Sequence, residues 1–425
     1  HRRSHLRSLA PLVRCHPARC QTVSRLAHHS EAVSLAQIVM KKRIILLALP
    51  LLWNCLSAEL EIRDAASSPI EGSSKSSDEI GKEFEQGISN HQLPDTTPWD
   101  LAALSRPPEF EWSDGDQIHS LYYQSEPYQD KPTRVFAYYA TPGSLSGDPS
   151  QDEDLPAIVL VHGGGGRAFP KWAKLWASRG YAAIAMDLGG GGPGRAKLTD
   201  GGPSQGHDMK FGAIDRPVTE QWTYHAVANV IRTHSFLLSL PEVDSERTAI
   251  TGISWGGYLT CIVAGLDDRF KAAVPVYGCG FLNENSVWLN EFAKMSPESR
   301  KKWVQLWDPS QYLGSATMPM LFVNGGKDFA YPPDSYAKSY SLVRSPKNIH
   351  FVPNLRHGHI FDRPKAIEVF IKHHLEAGIP LPKVSAPQVG EQHVTATVDT
   401  KTKLVAAELH YTLDALPGKP KNRKW

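Results

Sequence analysis

The chain has 425 residues, of which 41% are hydrophobic and 21% are charged, and it contains 14 Tyr, 14 Phe and 11 Trp. This composition excludes a disordered tail, a collagen-like repeat and a coiled coil as the main body of the protein. Residues 1–58 hold nine of the 46 basic residues and one of the 44 acidic residues, so the remainder carries a net charge of about −6. Binding to a nucleic-acid backbone needs a basic surface, so we expect no nucleic-acid partner.

The first 58 residues have the pattern of a targeting segment. Met40 is the first methionine, and it is followed by three basic residues, by the apolar run 44–56 and by Ser57 and Ala58. This order is typical of a secretory signal peptide, and the run is shorter than the roughly 18 to 20 residues that span a bilayer. We therefore expect a secreted or periplasmic protein with no stable membrane anchor. Residues 1–39 are interpreted as translated upstream sequence, and an organelle transit peptide is the alternative.

The remaining chain divides into three parts by composition. Residues 59–98 are rich in Ser, Pro, Gly, Asp and Glu without periodicity, which predicts a linker or flexible arm. Residues 99–382 form the predicted main domain. Residues 383–425 are interpreted as a truncated β-rich C-terminal segment with strands at 393–398 and 404–412, because two strands are too few for an independent domain. The alternative is that these strands pack on a face of the main domain.

The main domain alternates strand and helix patterns. Residues 117–123 and 133–140 predict an antiparallel pair of strands. Short continuous apolar runs then predict buried parallel strands at 157–161, 182–186, 248–253, 272–277, 318–323 and 348–352. Helical patterns lie at 169–179, 218–240, 255–266, 297–306, 333–343 and 364–377. The order predicts an α/β fold, with a mostly parallel sheet and helices on both faces.

A predicted nucleophile lies where one apolar strand runs into a helix. Residues 252–256 read Gly-Ile-Ser-Trp-Gly, which is the G-x-S-x-G pattern of a nucleophile elbow in its strand-turn-helix context. Ser254 must occupy a tight, strained turn, so the two positions that flank it at a distance of two residues require glycine. The N-terminus of the following helix favours negative charge beside the serine.

The other two members of a catalytic triad are expected later in the chain, in the order acid and then histidine. Asp328 follows one apolar strand, and His357 follows the next. The carboxyl ends of parallel strands meet at one edge of the sheet, so both side chains are expected beside Ser254. His359 is the alternative base, but His357 precedes a glycine that lets the imidazole turn back over the sheet.

The oxyanion hole requires two backbone N–H donors aimed at the developing negative charge. One is expected from Trp255, the residue after the nucleophile. The other is expected from Gly163 or Gly164, in the His-Gly-Gly-Gly-Gly run at 162–166 that follows the first parallel strand. Glycines there let the substrate approach the backbone, and His162 is interpreted as a structural residue. A dinucleotide-binding loop is disfavoured because only Asp187 follows a strand at a suitable distance.

Several other features have two interpretations each. The glycine-rich stretch 188–206 is either a lid over the site or a surface excursion. The aromatic residues of 281–312 are expected mainly in the core, with one or two of them lining a substrate pocket. Cys261 and Cys279 lie in apolar segments and are expected to be buried free thiols, although an exported protein could pair them.

The sequence over roughly 99–382 resembles the α/β-hydrolase superfamily. The runs SLPEVDSERTAITGISWGGY and HGHIFDRPKAIEVFIKHHL look like the branch that contains acetyl xylan esterases, dienelactone hydrolase and the prolyl oligopeptidase family. Those peptidases carry a β-propeller upstream, for which the segment before the first parallel strand is too short. The resemblance implies acyl transfer to water.

The residues and the resemblance together predict a secreted serine hydrolase that cleaves carboxylic esters, similar to acetyl xylan esterases. Its substrate is expected to be a small-molecule or polysaccharide ester, and no metal or cofactor is implied. Two alternatives remain: a peptidase of the prolyl oligopeptidase type, and a non-catalytic binding protein with the same fold.

Overall fold

The computed structural model describes residues 35–43, 57–64, 93–113, 115–389 and 393–410. In these residues the chain forms fourteen strands: β1 (Leu35–Arg43), β2 (Ser57–Asp64), β3 (Phe110–Ser113), β4 (His119–Tyr128), β5 (Lys131–Ala140), β6 (Leu155–Val161), β7 (Ala182–Met186), β8 (Val243–Ile253), β9 (Ala272–Val276), β10 (Met320–Lys327), β11 (Lys347–Arg356), β12 (Lys383–Val384), β13 (Gln388–Val389) and β14 (His393–Asp399).

Nine α-helices alternate with the strands in the described part of the chain: α1 (Leu101–Leu104), α2 (Pro142–Ser146), α3 (Pro170–Ala177), α4 (Trp222–Leu237), α5 (Trp255–Leu266), α6 (Leu289–Ala293), α7 (Pro297–Trp307), α8 (Pro333–Leu342) and α9 (Ala366–Glu376). A single wide helical turn covers Asp208–Gly212. Short 3-10 turns cover Pro149–Gln151, Pro193–Arg195, Val218–Glu220, Pro309–Gln311 and Leu313–Ser315.

The main sheet has nine strands in the order β11-β10-β9-β8-β6-β7-β5-β4-β3. The strands from β6 to β11 pair in parallel, whereas β3, β4 and β5 pair antiparallel and β5 joins β7 antiparallel. This arrangement confirms the predicted α/β fold. It also brings the carboxyl ends of β6, β8, β10 and β11 to the same edge of the sheet.

The central strands are hydrophobic throughout because helices cover them. Every residue of β6, β7 and β9 is buried, as is every residue of α5, which packs on β8 and β9. Helix α3 buries only one face, with Trp172 and Trp176 one turn apart. Each large apolar side chain that is fully buried in this way contributes about 1.5–3 kcal/mol to the free energy of folding.

A smaller sheet joins the N-terminal strands β1 and β2 to the C-terminal strands, with the order β12-β14-β1-β2 and β13 paired to β14. Strand β14 confirms the strand predicted at 393–398. The strand predicted at 404–412 is wrong for residues 404–410, which form no strand. These residues lack a partner strand, and Val405 is 93% exposed.

Much of the predicted N-terminal organisation lies outside the described residues. Residues 1–34, 44–56 and 65–92 are among these, and they include the apolar run of the predicted signal peptide and most of the predicted linker. These assignments stay predictions. No helix of the described chain is both long and apolar enough to cross a bilayer.

Candidate active site

Ser254 lies at the sharp turn between β8 and α5. Its backbone dihedral angles are φ 61° and ψ −120°, a region that residues with a side chain rarely adopt. Two hydrogen bonds hold this conformation: the Ser254 N–H donates to the carbonyl of Val276 at 2.8 Å, and the Tyr258 N–H donates to the Ser254 carbonyl at 2.9 Å. The turn therefore presents the serine side chain at the carboxyl edge of the sheet.

The two glycines of the elbow are sterically required. A Cβ atom on Gly252 would lie 2.1 Å from the carbonyl oxygen of Gly256, and one on Gly256 would lie 1.9 Å from the carbonyl oxygen of Val161. Both distances are far below van der Waals contact with rigid backbone atoms. The tight approach of β6, β8 and α5 at this point thus depends on the absence of both side chains.

Ser254, His357 and Asp328 form one hydrogen-bonded chain. The Oγ of Ser254 lies 2.8 Å from Nε2 of His357, and Nδ1 of His357 lies 2.6 Å from Oδ2 of Asp328. The other carboxylate oxygen of Asp328 accepts the N–H groups of Ala330 and Tyr331 at 2.7 and 2.9 Å. These bonds orient the carboxylate, and the carboxylate in turn favours a proton on Nδ1, which leaves Nε2 to accept the serine proton.

Aromatic side chains surround the His357 ring. The ring centroids of Tyr277 and Phe329 lie 4.9 and 5.0 Å from it, and Tyr331 stacks at 6.1 Å. Tyr277 is fixed in turn by donating its hydroxyl to the carbonyl of Arg356 at 3.0 Å. These contacts limit the rotation of the imidazole, and no sequence pattern predicted them.

The two candidate histidines have different partners. His357 contacts Ser254, whereas Nε2 of His359 accepts the backbone N–H of Gly163 at 3.0 Å. The N–H of Gly163 is therefore engaged, which departs from the expectation that it could bind an oxyanion. Within the described chain, the N–H groups of Gly164 and Trp255 have no acceptor, so both remain available as donors.

His162 is held by two backbone groups. Its Nδ1 donates to the carbonyl of Gly163 at 2.7 Å, and its Nε2 accepts the N–H of Leu188 at 3.1 Å. Burial lowers the pKa of His162 to about 3, so the ring is neutral. These contacts agree with a structural role in joining the loops after β6 and β7.

Lys210 is a buried charge that the sequence analysis missed. It is 5% exposed, and its Nζ lies 5.0 Å from the ring centroid of Trp222 and 4.5 Å from that of Trp255. A Cβ atom on Gly164 would lie 3.6 Å from the same Nζ. Desolvation lowers the pKa of this ammonium to about 7.

The aromatic residues of 281–312 are mainly core residues, as predicted. Trp303 and Trp307 are fully buried, whereas Trp288 packs its ring 4.7 Å from that of Trp255 and 5.1 Å from that of Tyr331, beside the site. Cys261 and Cys279 are buried free thiols, and burial raises the pKa of both.

The glycine-rich stretch 188–206 is anchored at two points. The carboxylate of Asp187 accepts the N–H groups of Gly189 and Gly191 at 2.8 and 2.7 Å. Further along, Asp200 accepts Nε of Arg134 at 2.6 Å. These contacts favour the interpretation of this stretch as a fixed surface excursion over the lid interpretation.

Two protein-family patterns match adjacent parts of the chain. The family described as acetyl xylan esterase matches residues 95–293, a range that contains Ser254. The family described as PhoPQ-activated pathogenicity-related protein matches residues 290–415, a range that contains Asp328 and His357.

Two curated proteins are similar in sequence to about half of the chain. Acetyl esterase Axe7A of Xylanibacter ruminicola is 22% identical over 222 residues, which cover 49% of this chain and 51% of that protein. The uncharacterized peptidase YuxL of Bacillus subtilis is 23% identical over 245 residues, which cover 52% of this chain and 34% of that protein. The chain thus spans about half the length of the first of these relatives and a third of the second.

Two solved structures share the fold. The acetyl xylan esterase from Paenibacillus sp. R4 has a TM-score of 0.52 and 26% identity, covering 65% of this chain and 92% of that one. Acetyl xylan esterase 1 from Thermoanaerobacterium sp. JW/SL YS485 has a TM-score of 0.51 and 18% identity, covering 68% and 97%. With the topology of the main sheet, these matches show that the chain belongs to the α/β-hydrolase superfamily.

Proposed function

We propose that the protein is a secreted serine esterase that hydrolyses acetyl or other short acyl esters. The observation that carries this proposal is the chain of hydrogen bonds from Ser254 through His357 to Asp328. A serine, a histidine and a carboxylate in this order form the arrangement that activates a hydroxyl for attack on a carbonyl. The likeness to proteins named acetyl esterase and acetyl xylan esterase supports acetyl groups on a polysaccharide as the substrate.

Acylation begins when Ser254 Oγ forms a bond to the carbonyl carbon of the ester. The serine proton passes to Nε2 of His357, and the carbonyl electron pair moves onto the carbonyl oxygen. The N–H groups of Trp255 and Gly164 are the donors we assign to that oxyanion. When the carbonyl re-forms, the bond to the alcohol oxygen breaks, and His357 returns the proton to the leaving alkoxide.

Deacylation repeats these steps with water as the nucleophile. His357 takes a proton from the water as its oxygen attacks the acyl-enzyme, and it gives that proton to Ser254 Oγ when the carboxylic acid leaves. Asp328 stays ionised and stabilises the imidazolium that forms in both halves.

A peptidase is the second candidate, because one relative, YuxL, is named as a peptidase. The same three residues would act on an amide, so the triad does not distinguish the two activities. The substrate comparison described in the Discussion separates them.

The nucleophile is tested with Ser254→Ala and a fluorophosphonate probe. We expect the variant to lose about 10⁴-fold or more of the esterase activity and all labelling, with the thermal unfolding midpoint retained. Ser235→Ala is a matched control, because Ser235 is also buried but bonds only to structural groups on α1, α4 and Arg269. Labelling of another residue, or substantial turnover by Ser254→Ala, would overturn the mechanism.

A further inference from the structure

Lys210 places a buried ammonium group beside the candidate oxyanion donors. Its Nζ lies 4.5 Å from the ring centroid of Trp255, and 3.6 Å from the position that a Cβ on Gly164 would take. The backbone of Asp208–Gly212 holds the residue in place, because the Lys210 N–H donates to Gly206 and its carbonyl accepts the indole N–H of Trp303 at 2.8 Å. The charge is thus fixed next to the loop after β6 and the start of α5.

This ammonium has no opposite charge to neutralise it. Lys210 forms no ion pair with a carboxylate of the described chain, and desolvation by burial dominates its titration. The faces of Trp222 and Trp255 attract the cation, but an aromatic ring carries no net charge, so the positive field of the lysine persists in the protonated form, which predominates below the lowered pKa of about 7. Burial of an uncompensated charge is unfavourable, and a buried lysine with a lowered pKa beside a cleft is therefore a candidate functional residue.

A second source of positive potential points to the same place. Helix α5 begins at Trp255, and its first N–H groups carry the positive end of the helix dipole. An ammonium near a helix N-terminus is repelled there, unless a negative charge forms between them. The proposed reaction forms one such charge, on the carbonyl oxygen of the substrate.

We propose that Lys210 stabilises the negative charge that develops on the ester carbonyl oxygen when Ser254 attacks. The inference rests on the proposed function and deepens it. Lys210 forms no covalent bond and transfers no proton: the serine proton goes to His357, and the ammonium acts on the oxyanion through its electric field. Because that charge is absent from the bound ester, the ammonium raises kcat and has little effect on KM.

The variant Lys210→Met tests this role, since methionine keeps an unbranched stem and removes the charge. We expect kcat for an acetyl ester to fall about 10- to 100-fold while KM changes by less than about threefold. The thermal unfolding midpoint is expected to rise, because the desolvation cost of the ammonium is gone. A lysine with a purely structural role would instead lower that midpoint when removed.

A boronic acid supplies an independent readout. Phenylboronic acid adds to the nucleophilic serine and becomes an anionic tetrahedral adduct, which resembles the charged intermediate. Its affinity, measured by calorimetry, should fall in Lys210→Met by the same factor as kcat. Calorimetry needs no turnover, so an absence of ester hydrolysis in the wild type would overturn the proposed function while still leaving Lys210 tested.

Lys347→Met is the matched control. Its Nζ also lies over an aromatic ring, 4.7 Å from the centroid of Tyr340, but it donates to the carbonyl of Val343 at 2.6 Å and lies at the start of β11, opposite the triad. We expect unchanged kcat and boronate affinity, and a lower unfolding midpoint. Lys210→Leu serves if the methionine variant does not fold. Unchanged kcat and boronate affinity in a folded Lys210 variant would overturn the proposal. So would a fall in kcat that is accompanied by a higher KM and a lower unfolding midpoint.

Discussion

The backbone N–H of Gly163 donates to Nε2 of His359 at 3.0 Å, and this bond joins the loop after β6 to the loop after β11. The accepting nitrogen must be unprotonated, so His359 is neutral and carries its proton on Nδ1. A Cβ on Gly163 would lie 2.9 Å from Cβ of Ser254, so the bond fixes backbone that lies against the proposed nucleophile. His359 therefore positions the chain that carries the Gly164 donor.

This relationship predicts different outcomes for two substitutions of His359. In His359→Gln the amide oxygen can accept the Gly163 N–H, so kcat/KM for an acetyl ester should stay within about fivefold of the wild type. In His359→Leu no acceptor remains, and kcat/KM should fall about 10- to 100-fold. Steady-state kinetics at neutral pH give both values, and equal losses in the two variants would contradict the positioning role.

The pH dependence of the same pair has a defined sign. Burial, and to a smaller extent His357, lowers the pKa of His359. As the pH falls through that value, Nε2 gains a proton and can no longer accept from Gly163, so the wild type loses activity on the acid side. The acid limb of the kcat/KM profile for His359→Gln should lack this titration.

Gly256→Ala should be strongly destabilising. The added methyl group would lie 1.9 Å from the carbonyl oxygen of Val161, so β6 and α5 must move apart. We expect a loss of about 2–4 kcal/mol in the free energy of unfolding, together with most of the activity. Gly314→Ala is the control, since nothing lies within 4 Å of its added carbon. Urea unfolding gives the free energy of unfolding of both variants. Similar values for the two would contradict the predicted clash at Gly256.

The buried carboxylate of Asp267 should support stability far from the site. It accepts Nδ1 of His234 at 2.9 Å and two nitrogens of Arg269 at 2.7 Å. Burial alone would raise the pKa of Asp267, but His234 and Arg269 outweigh burial, and the pKa lies below its usual value. The stabilisation is therefore present above about pH 4 and is lost as the pH falls through the lowered folded-state pKa.

Asp267→Asn should lower the free energy of unfolding at pH 7 by about 3–5 kcal/mol, because Arg269 and His234 lose a buried partner. The difference from the wild type should shrink as the pH is lowered below 4. Asp244→Asn is the comparison, since Asp244 pairs with Arg247 near the surface and should change stability by about 0.5 kcal/mol or less. Chemical unfolding at pH 7 and pH 3 decides between these expectations.

The value of kcat/KM should be much larger for ester substrates than for amide substrates. An amide nitrogen is a poorer leaving group than an alkoxide, so a peptidase must protonate it and must hold the peptide on both sides of the bond. We expect kcat/KM for acetyl or propionyl esters to exceed that for Xaa-Pro amides by at least about a thousandfold, or about 4 kcal/mol. Comparable values for p-nitrophenyl acetate, acetylated xylan and Xaa-Pro anilides would favour the peptidase.

The positions of Ser254, Asp328 and His357 could be predicted because each follows from a short local pattern in the sequence. Ser254 follows from a five-residue motif between a strand and a helix, and the ends of consecutive parallel strands brought Asp328 and His357 to the same edge. An apolar run is enough to identify each strand, and the carboxyl ends of parallel strands lie at one edge of the sheet. The contacts that orient Asp328 and His357 there were not predictable.

Features that depend on the meeting of distant loops were not predictable. Lys210 stands between Met209 and Phe211 in a polar, glycine-rich region, where a lysine is normally solvated, and its burial arises only when Trp222 and Trp255 close over it. Strand β3 was not predicted for a different reason. Its residues Phe110, Glu111, Trp112 and Ser113 do alternate between apolar and polar, but four residues are the shortest run in which alternation indicates a strand, and all four are exposed.

The backbone conformation at Ser254 predicts which substitution would accumulate there in the absence of selection for hydrolysis. At φ 61° and ψ −120° only glycine is relaxed, so the serine costs about 1–3 kcal/mol, a cost that the proposed catalytic role would explain. A duplicated gene freed from selection for hydrolysis would gain stability from Ser254→Gly, a change that abolishes turnover without unfolding the sheet. Inactive descendants of this chain should therefore accumulate glycine at position 254. Serine should be retained there only where hydrolysis is under selection.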